Sequence, residues 1–126
     1  GARFIATNLD PNIPSEDGFL PGSGAMVAML AAASGIRPTG VGKPEPIMYE
    51  LAMARMGARP ETTAAVGDRV ATDIVGGKRA GITTICVLTG ASDRAEAEAA
   101  QADFIFDDLG HLLDAWRAAL AAGDPA

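Results

Sequence analysis

Apolar and polar positions follow several rhythms along the 126-residue chain, and each rhythm predicts an element. Arg3-Phe4-Ile5-Ala6-Thr7 reads as a strand with almost nothing before it, so a beginning is expected to be missing. From Asn8 to Gly24 the periodicity breaks. Pro11, Pro14, Pro21, Gly18 and Gly22 predict a loop of about a dozen residues, a length usually kept for function. Gly24 to Ser34 carries no charge, and Met26, Val27, Met29, Leu30 and the alanines describe a helix apolar almost all round, hence a buried one. Gly35 supplies its C-cap.

Pro38 to Gly42 is a short extended piece, and Lys43-Pro44-Glu45-Pro46 opens a second helix, since prolines are tolerated where the first-turn amides lack intrahelical partners. Ile47, Leu51 and Ala54 share one face of it, and Gly57 ends it. Ala64 to Gly67 is the next strand. Thr72 to Ala80 is the next helix, with Thr72 as N-cap and Gly81 as its stop. Ile82 to Leu88 is a nearly continuous apolar run rich in β-branched residues, the pattern of a parallel strand buried on both faces. Asp93 to Ala100 reads as a solvated helix and Asp103 to Phe106 as a last short strand. Leu109, Leu112, Leu113, Trp116 and Leu120 form a helical stripe, with Trp116 as a core anchor and His111 off the stripe at the surface. Strands alternating with helices give the fold class: α/β, a Rossmann-like parallel sheet with flanking helices.

Composition narrows the function. A chain of this length suits one compact unit burying roughly two-thirds of its unfolded surface. A formal charge of −6 with ten basic residues leaves no clustered cationic patch for nucleic acid. Cys86 is the single cysteine, which excludes an internal disulfide and a multi-thiolate zinc site, and its place in the apolar run predicts a buried, inert thiol. No apolar run is long enough to cross a bilayer and the N-terminus lacks a signal-peptide layout, so no membrane partner and a cytoplasmic location are expected.

The candidate chemistry centres on Ala64-Ala65-Val66-Gly67-Asp68-Arg69-Val70-Ala71-Thr72-Asp73-Ile74. Asp68 falls where a parallel strand ends, the usual place for ligands in open α/β sheets. Two readings of its pairing with Asp73 stand side by side. In one, Asp68 ligates a hard divalent cation, Mg²⁺ by preference, with Asp73 supporting it. In the other, Asp68 is a turn residue and Asp73 favours a helix N-terminus. Lys43 after another glycine-rich strand end suits a phosphoryl oxygen, and the amides of Arg69, Val70, Ala71 and Thr72 lie where an anion would be held. Together they describe a phosphate clamp. The P-loop pattern fails, because Arg37 and Pro44 stand where glycine and Ser or Thr are needed. The dinucleotide fingerprint fails too, with Glu45 and Val27 where small residues are required.

Gly42-Lys43-Pro44-x-Pro46, then Val66-Gly67-Asp68-Arg69-x-x-Thr72-Asp73-Ile74 and Gly77-x-x-x-Gly81, resemble the third and fourth motifs of the haloacid dehalogenase superfamily. The similarity is greatest to its phosphatase branch with a large α/β cap, which includes p-nitrophenyl phosphatases, phosphoglycolate phosphatases and ribonucleotide monophosphatases. Ala6-Thr7-Asn8-x-Asp10, Asp17-Gly18, Pro21-Gly22-x-Gly24 and Val87-Leu88-Thr89-Gly90 also resemble that branch, and the resemblance runs from Phe4 to Leu120. It implies that Lys43 contacts the transferred phosphoryl group of a small phosphorylated metabolite, that Asp68 binds Mg²⁺, and that Asp73 orients the site and stands with Asp68 at the metal. It implies a cap tail over residues 1–40 and the C-terminal part of the hydrolase core over 41–126. The loop Pro11-Asn12-Ile13-Pro14 is then expected to face the leaving group, giving Asn12 and Ile13 a part in substrate binding.

This sequence departs from the family pattern in two places. Leu9 stands where proline is common. More importantly, the Asp-x-Asp motif that holds the family's nucleophile and general acid, and the Ser or Thr motif after it, do not occur before Lys43. Three readings follow. The chain is the C-terminal portion of a Mg²⁺-dependent phosphatase acting through an aspartyl-phosphate, inactive alone; or a non-catalytic module binding a phosphorylated ligand or protein, prone to self-association through exposed sheet edges; or one half of a fold completed by a separately encoded N-terminal half.

Overall fold

The structure, a computed structural model, describes residues 1–123. In chain order the elements are β1 (Ile5–Ala6), β2 (Asn12–Ser15), β3 (Gly18–Pro21), α1 (Ser23–Ser34), β4 (Thr39–Gly40), α2 (Ile47–Met56), β5 (Ala64–Gly67), α3 (Val75–Arg79), β6 (Thr83–Val87), α4 (Arg94–Ala99), β7 (Phe104–Phe106) and α5 (Leu109–Ala121). A 3₁₀ turn at Pro60–Thr62 precedes β5, and a π-helical turn at Val70–Ile74 runs into α3.

The organising sheet is parallel, in the order β5-β6-β7, with Gly67 opposite Cys86 and Val87 opposite Phe106. Its middle strand is the β-branched run, and Thr84 to Val87 are buried there, as a strand flanked on both sides should be. Two small clusters pack around it. Met53 of α2, Ala65 of β5 and Ile82 form one, with Tyr49 against them; Ile74, Cys86 and Ala97 form the other. Ala97 lies on α4, so that helix is not solvated all round: its capping box of Asp93 and Glu96 faces outward while one alanine is fully buried. Gly35 and Gly57 end their helices in left-handed conformation.

Four further expectations need correction. The proline-rich segment is no open loop: β2 and β3 form an antiparallel hairpin, Ser15 paired with Gly18 across Glu16 and Asp17. Prolines fit because both strands are edges of a two-stranded ribbon. Helix α1 is not buried. Gly24 is its single buried residue, while Met29 is 64% exposed, because among the described residues little packs against the helix. Thr72 is no N-cap; it lies inside the π turn, whose N-terminal flank is Arg69. Trp116 is 55% exposed and lines an open apolar groove with Ile85, Phe104, Phe106 and Leu112, so it anchors no core in this chain.

Candidate active site

The carboxyl end of the parallel sheet builds the site. Strand β5 ends at Gly67, and the chain turns so sharply that a Cβ on Gly67 would overlap the Asp73 side chain. Glycine is therefore required here for Asp73 to fold back over the strand end. Asp73 is 7% exposed and both its carboxylate oxygens are engaged. Oδ1 receives the Lys43 ammonium at 2.6 Å, and Oδ2 accepts the Arg69 amide at 3.1 Å. The Tyr49 hydroxyl of α2 donates to the Asp73 carbonyl at 3.3 Å, tying the helix that follows Lys43 to the π turn. The Lys43–Pro44 peptide is cis. The hydrogen bond from Lys43 to Asp73 raises the lysine pKa above 10.5, burial opposing it. Lys43 is thus a firm cation with two further N–H donors to offer.

Asp68 stands one residue past β5. Its Oδ2 accepts the Ala91 amide at 3.1 Å, its carbonyl accepts the Ser92 amide at 3.1 Å, and Oδ1 has no protein donor among the described residues. Ser92 in turn accepts the Val70 amide on its hydroxyl at 3.0 Å. Cys86 lies beneath, fully buried, its thiol pKa raised by burial and then by the fields of Asp68 and Asp73, which keeps it protonated and inert.

Lys43, Asp68, Arg69, Thr72 and Asp73 line one open cavity of about 410 Å³ together with Thr7, Asn8, Asp10, Gly42 and Met48. Asn12 and Ile13 line an adjoining cavity of about 510 Å³ that shares Asn8, Asp10 and Arg69 with the first. Val70 and Ala71 line neither; they face Ser92 and Glu96 on another surface. The expectation that the amides of this turn cradle an anion is not met for three of them. Arg69 N is spent on Asp73, Val70 N on Ser92, and Thr72 N on the Arg69 carbonyl at 3.3 Å. The turn and Ser92 between them close these donors.

The residues present fit Mg²⁺ in one respect that matters. Among the described residues no three acidic, histidine or cysteine side chains group closely enough to enclose a metal. Mg²⁺ is held in phosphoryl-transfer sites by one or two carboxylates with water and phosphate completing the shell, so a sparse oxygen set is what it needs. Of the two aspartates, Asp68 is the one with a carboxylate oxygen left over that would be open to a metal ion. Both Asp73 oxygens are already engaged by Lys43 and the Arg69 amide, which leaves it less suited to a second ligand's place than the sequence reading expects.

Sequence reasoning missed Ser92, Ala91 and Tyr49. The run Leu88-Thr89-Gly90 next to Asp68 carried the signal for the first two; nothing local marked Tyr49 as more than a core aromatic.

The HAD-hydrolase-like family model matches residues 40–112. The chain is 40% identical to a dihydroxyacetone phosphatase of Corynebacterium glutamicum over 118 residues, covering 92% of this chain and 43% of that protein. It superposes on a p-nitrophenyl phosphatase from Archaeoglobus fulgidus with a TM-score of 0.81 and 34% identity, over 90% of this chain and 46% of the other. A glycerol phosphate phosphatase from Mycobacterium tuberculosis, solved in complex with magnesium, gives 0.76 and 41% identity over 89% and 35%. The chain therefore spans less than half the length of these relatives. With more than half of its residues under the family model and the fold shared over 90% of its length, the chain belongs to the HAD-like hydrolases.

Proposed function

We propose that this chain is the C-terminal portion of a Mg²⁺-dependent phosphatase that hydrolyses small phosphomonoesters through an aspartyl-phosphate, residues 1–40 being the tail of a cap and 41–126 part of the core. The observation that carries this reading is the meeting of Lys43, Asp68 and Asp73 on one cavity, although Lys43 lies 30 residues before Asp73. Lys43 neutralises a phosphoryl oxygen with the N–H donors that Asp73 leaves free, and Asp73 holds the ammonium in place as charge develops. Asp68 holds Mg²⁺, whose charge when bound offsets that of the phosphoryl group. The nucleophile belongs to the remaining part of the relatives' length, so the chain alone is inactive.

Surface area supports a missing companion. The chain exposes 8609 Å², against roughly 6,300 Å² for a compact monomer of its mass. Strand β5 is bonded to β6 on one side and, among the described residues, to no strand on the other. An N-terminal half pairing there would hide surplus apolar surface and close the edge. The cavity beside Asn12 and Ile13 is of the size that holds a small organic leaving group, and the names of two relatives point to three-carbon phosphates.

The test is a chimera in which the N-terminal part of the Corynebacterium relative precedes this chain. Mg²⁺-dependent release of phosphate from p-nitrophenyl phosphate is expected, falling about 100-fold or more in Lys43→Ala and Asp68→Asn. Undiminished turnover in those variants, or turnover by the 126-residue chain alone, overturns the reading.

A further inference from the structure

The segment Thr89–Ser92 follows β6 and wraps the end of β5, and every polar contact it makes there serves Asp68 or the turn behind it. The Ala91 amide holds Asp68 Oδ2, the Ser92 amide holds the Asp68 carbonyl, and the Ser92 hydroxyl holds the Val70 amide. Gly90 lies flat against the Asp68 carboxylate, so closely that a Cβ would overlap it. Two hydrogen bonds and one steric contact thus fix the backbone and side chain of a single aspartate from a segment 22 to 24 residues away, and a third hydrogen bond ties that segment to Val70. A carboxylate with one oxygen pinned and the other unpartnered presents that free oxygen in one orientation.

We propose that Ser92 is a positioning residue for Asp68: through its hydroxyl and amide it locks the 89–92 segment to the π turn, and so aims the free Asp68 oxygen at Mg²⁺. This rests on the reading of Asp68 as the metal ligand. Removing the hydroxyl leaves the half-buried Val70 amide without its acceptor, which frees the segment and, with it, the Ala91 amide that pins Oδ2. Partners that orient a ligating carboxylate typically govern metal affinity by one to two orders of magnitude. Thr84 gives the structural comparison. It is fully buried in β6 and bonded to Asp103, away from Asp68, so its loss weakens the sheet without touching the pinned carboxylate.

The experiment is titration of the chimera, in which the missing half of the fold is supplied, with MgCl₂, followed through the amide resonances of residues 68–73, the chimera carrying this chain's own residues serving as wild type. The wild type is expected to saturate, Asp68→Asn to lose the response, and Ser92→Ala to shift the midpoint about tenfold upward. Ser92→Thr, which keeps the hydroxyl, is expected to restore affinity to within about twofold, and Thr84→Val to leave it unchanged despite a lower melting temperature. Wild-type affinity in Ser92→Ala overturns this inference and leaves the proposed function standing. A wild type without an Asp68-dependent response sinks both. If Ser92→Ala does not fold, Ser92→Cys, with sulfur as a weaker acceptor, carries the same expectation and the same refutation.

Discussion

The two ends of this chain obey different rules. Between Ala64 and Phe106 the polar groups are matched and the small side chains are packed: Ile74, Thr84, Cys86 and Ala97 are wholly buried, and no buried side-chain nitrogen or oxygen among the described residues lacks a partner. Between Gly1 and Gly40 the apolar residues are as abundant but lie open, with both strands of the hairpin exposed throughout and α1 burying Gly24 alone. Hydrophobicity in the first region records a core; in the second it records a surface. Apolar content therefore gives no measure of burial until the covering element is known.

The sharpest way to break this contrast is at Asp73. Asp73→Ala removes the acceptor of both Lys43 and the Arg69 amide, and should cost about 2 to 3 kcal/mol in urea unfolding. Because Lys43 is half exposed, most of that cost comes from the abandoned amide and the lost packing rather than from charge attraction. The charge part can be isolated with Asp73→Asn. The pairing raises the lysine pKa, so on the alkaline side its contribution is whole from neutrality up to the unfolded value of 10.5 and fades as pH climbs through the raised folded value; the stability gap between wild type and Asp73→Asn should narrow there. A gap that stays constant through pH 11 would contradict the ion pair.

A middling effect is expected at Thr84. Its amide and hydroxyl both donate to Asp103, at 2.8 and 2.6 Å, and hold that carboxyl below the usual range. Thr84→Val should cost about 1 kcal/mol near neutrality, read by urea unfolding. Asp103 stabilises the fold above its unfolded pKa of about 3.8, and the benefit disappears as pH falls through the depressed folded value. The variant should accordingly lose less stability between pH 4 and pH 2 than the wild type does. The smallest effect belongs to α1: Met29→Ser should lower the unfolding free energy by no more than about 0.5 kcal/mol, and a larger loss would show that the helix is covered after all.

The parallel sheet and its helices were legible because their signals are local. The β-branched run of β6, the glycine stops at 57 and 81 and the spacing of Leu109 to Leu120 all sit within single elements. That Lys43, Asp68 and Asp73 meet on one cavity was legible in part: Gly67 followed by Asp68 marks a strand end, and Lys43 follows a similar one. What stayed hidden depends on contacts across the chain. The hairpin had a written clue in Asp17-Gly18, where the two-residue turn meets the second strand, but its prolines pointed to a loop, and an edge ribbon accommodates them. The π turn inverted the expected use of the amides from Arg69 to Thr72, since whether such a donor is free depends on Asp73 and Ser92 folding back. Trp116 fits a stripe whichever way that stripe faces.

Asp73 has already given away both of its oxygens before any ligand arrives. The ammonium of Lys43 is consequently parked at a fixed address, and an anion bound as proposed would meet it without having to freeze a long, mobile side chain, a step that otherwise costs on the order of 1 kcal/mol of rotamer entropy at the moment of binding. That cost is met once, when the polypeptide folds, and every later encounter is spared it.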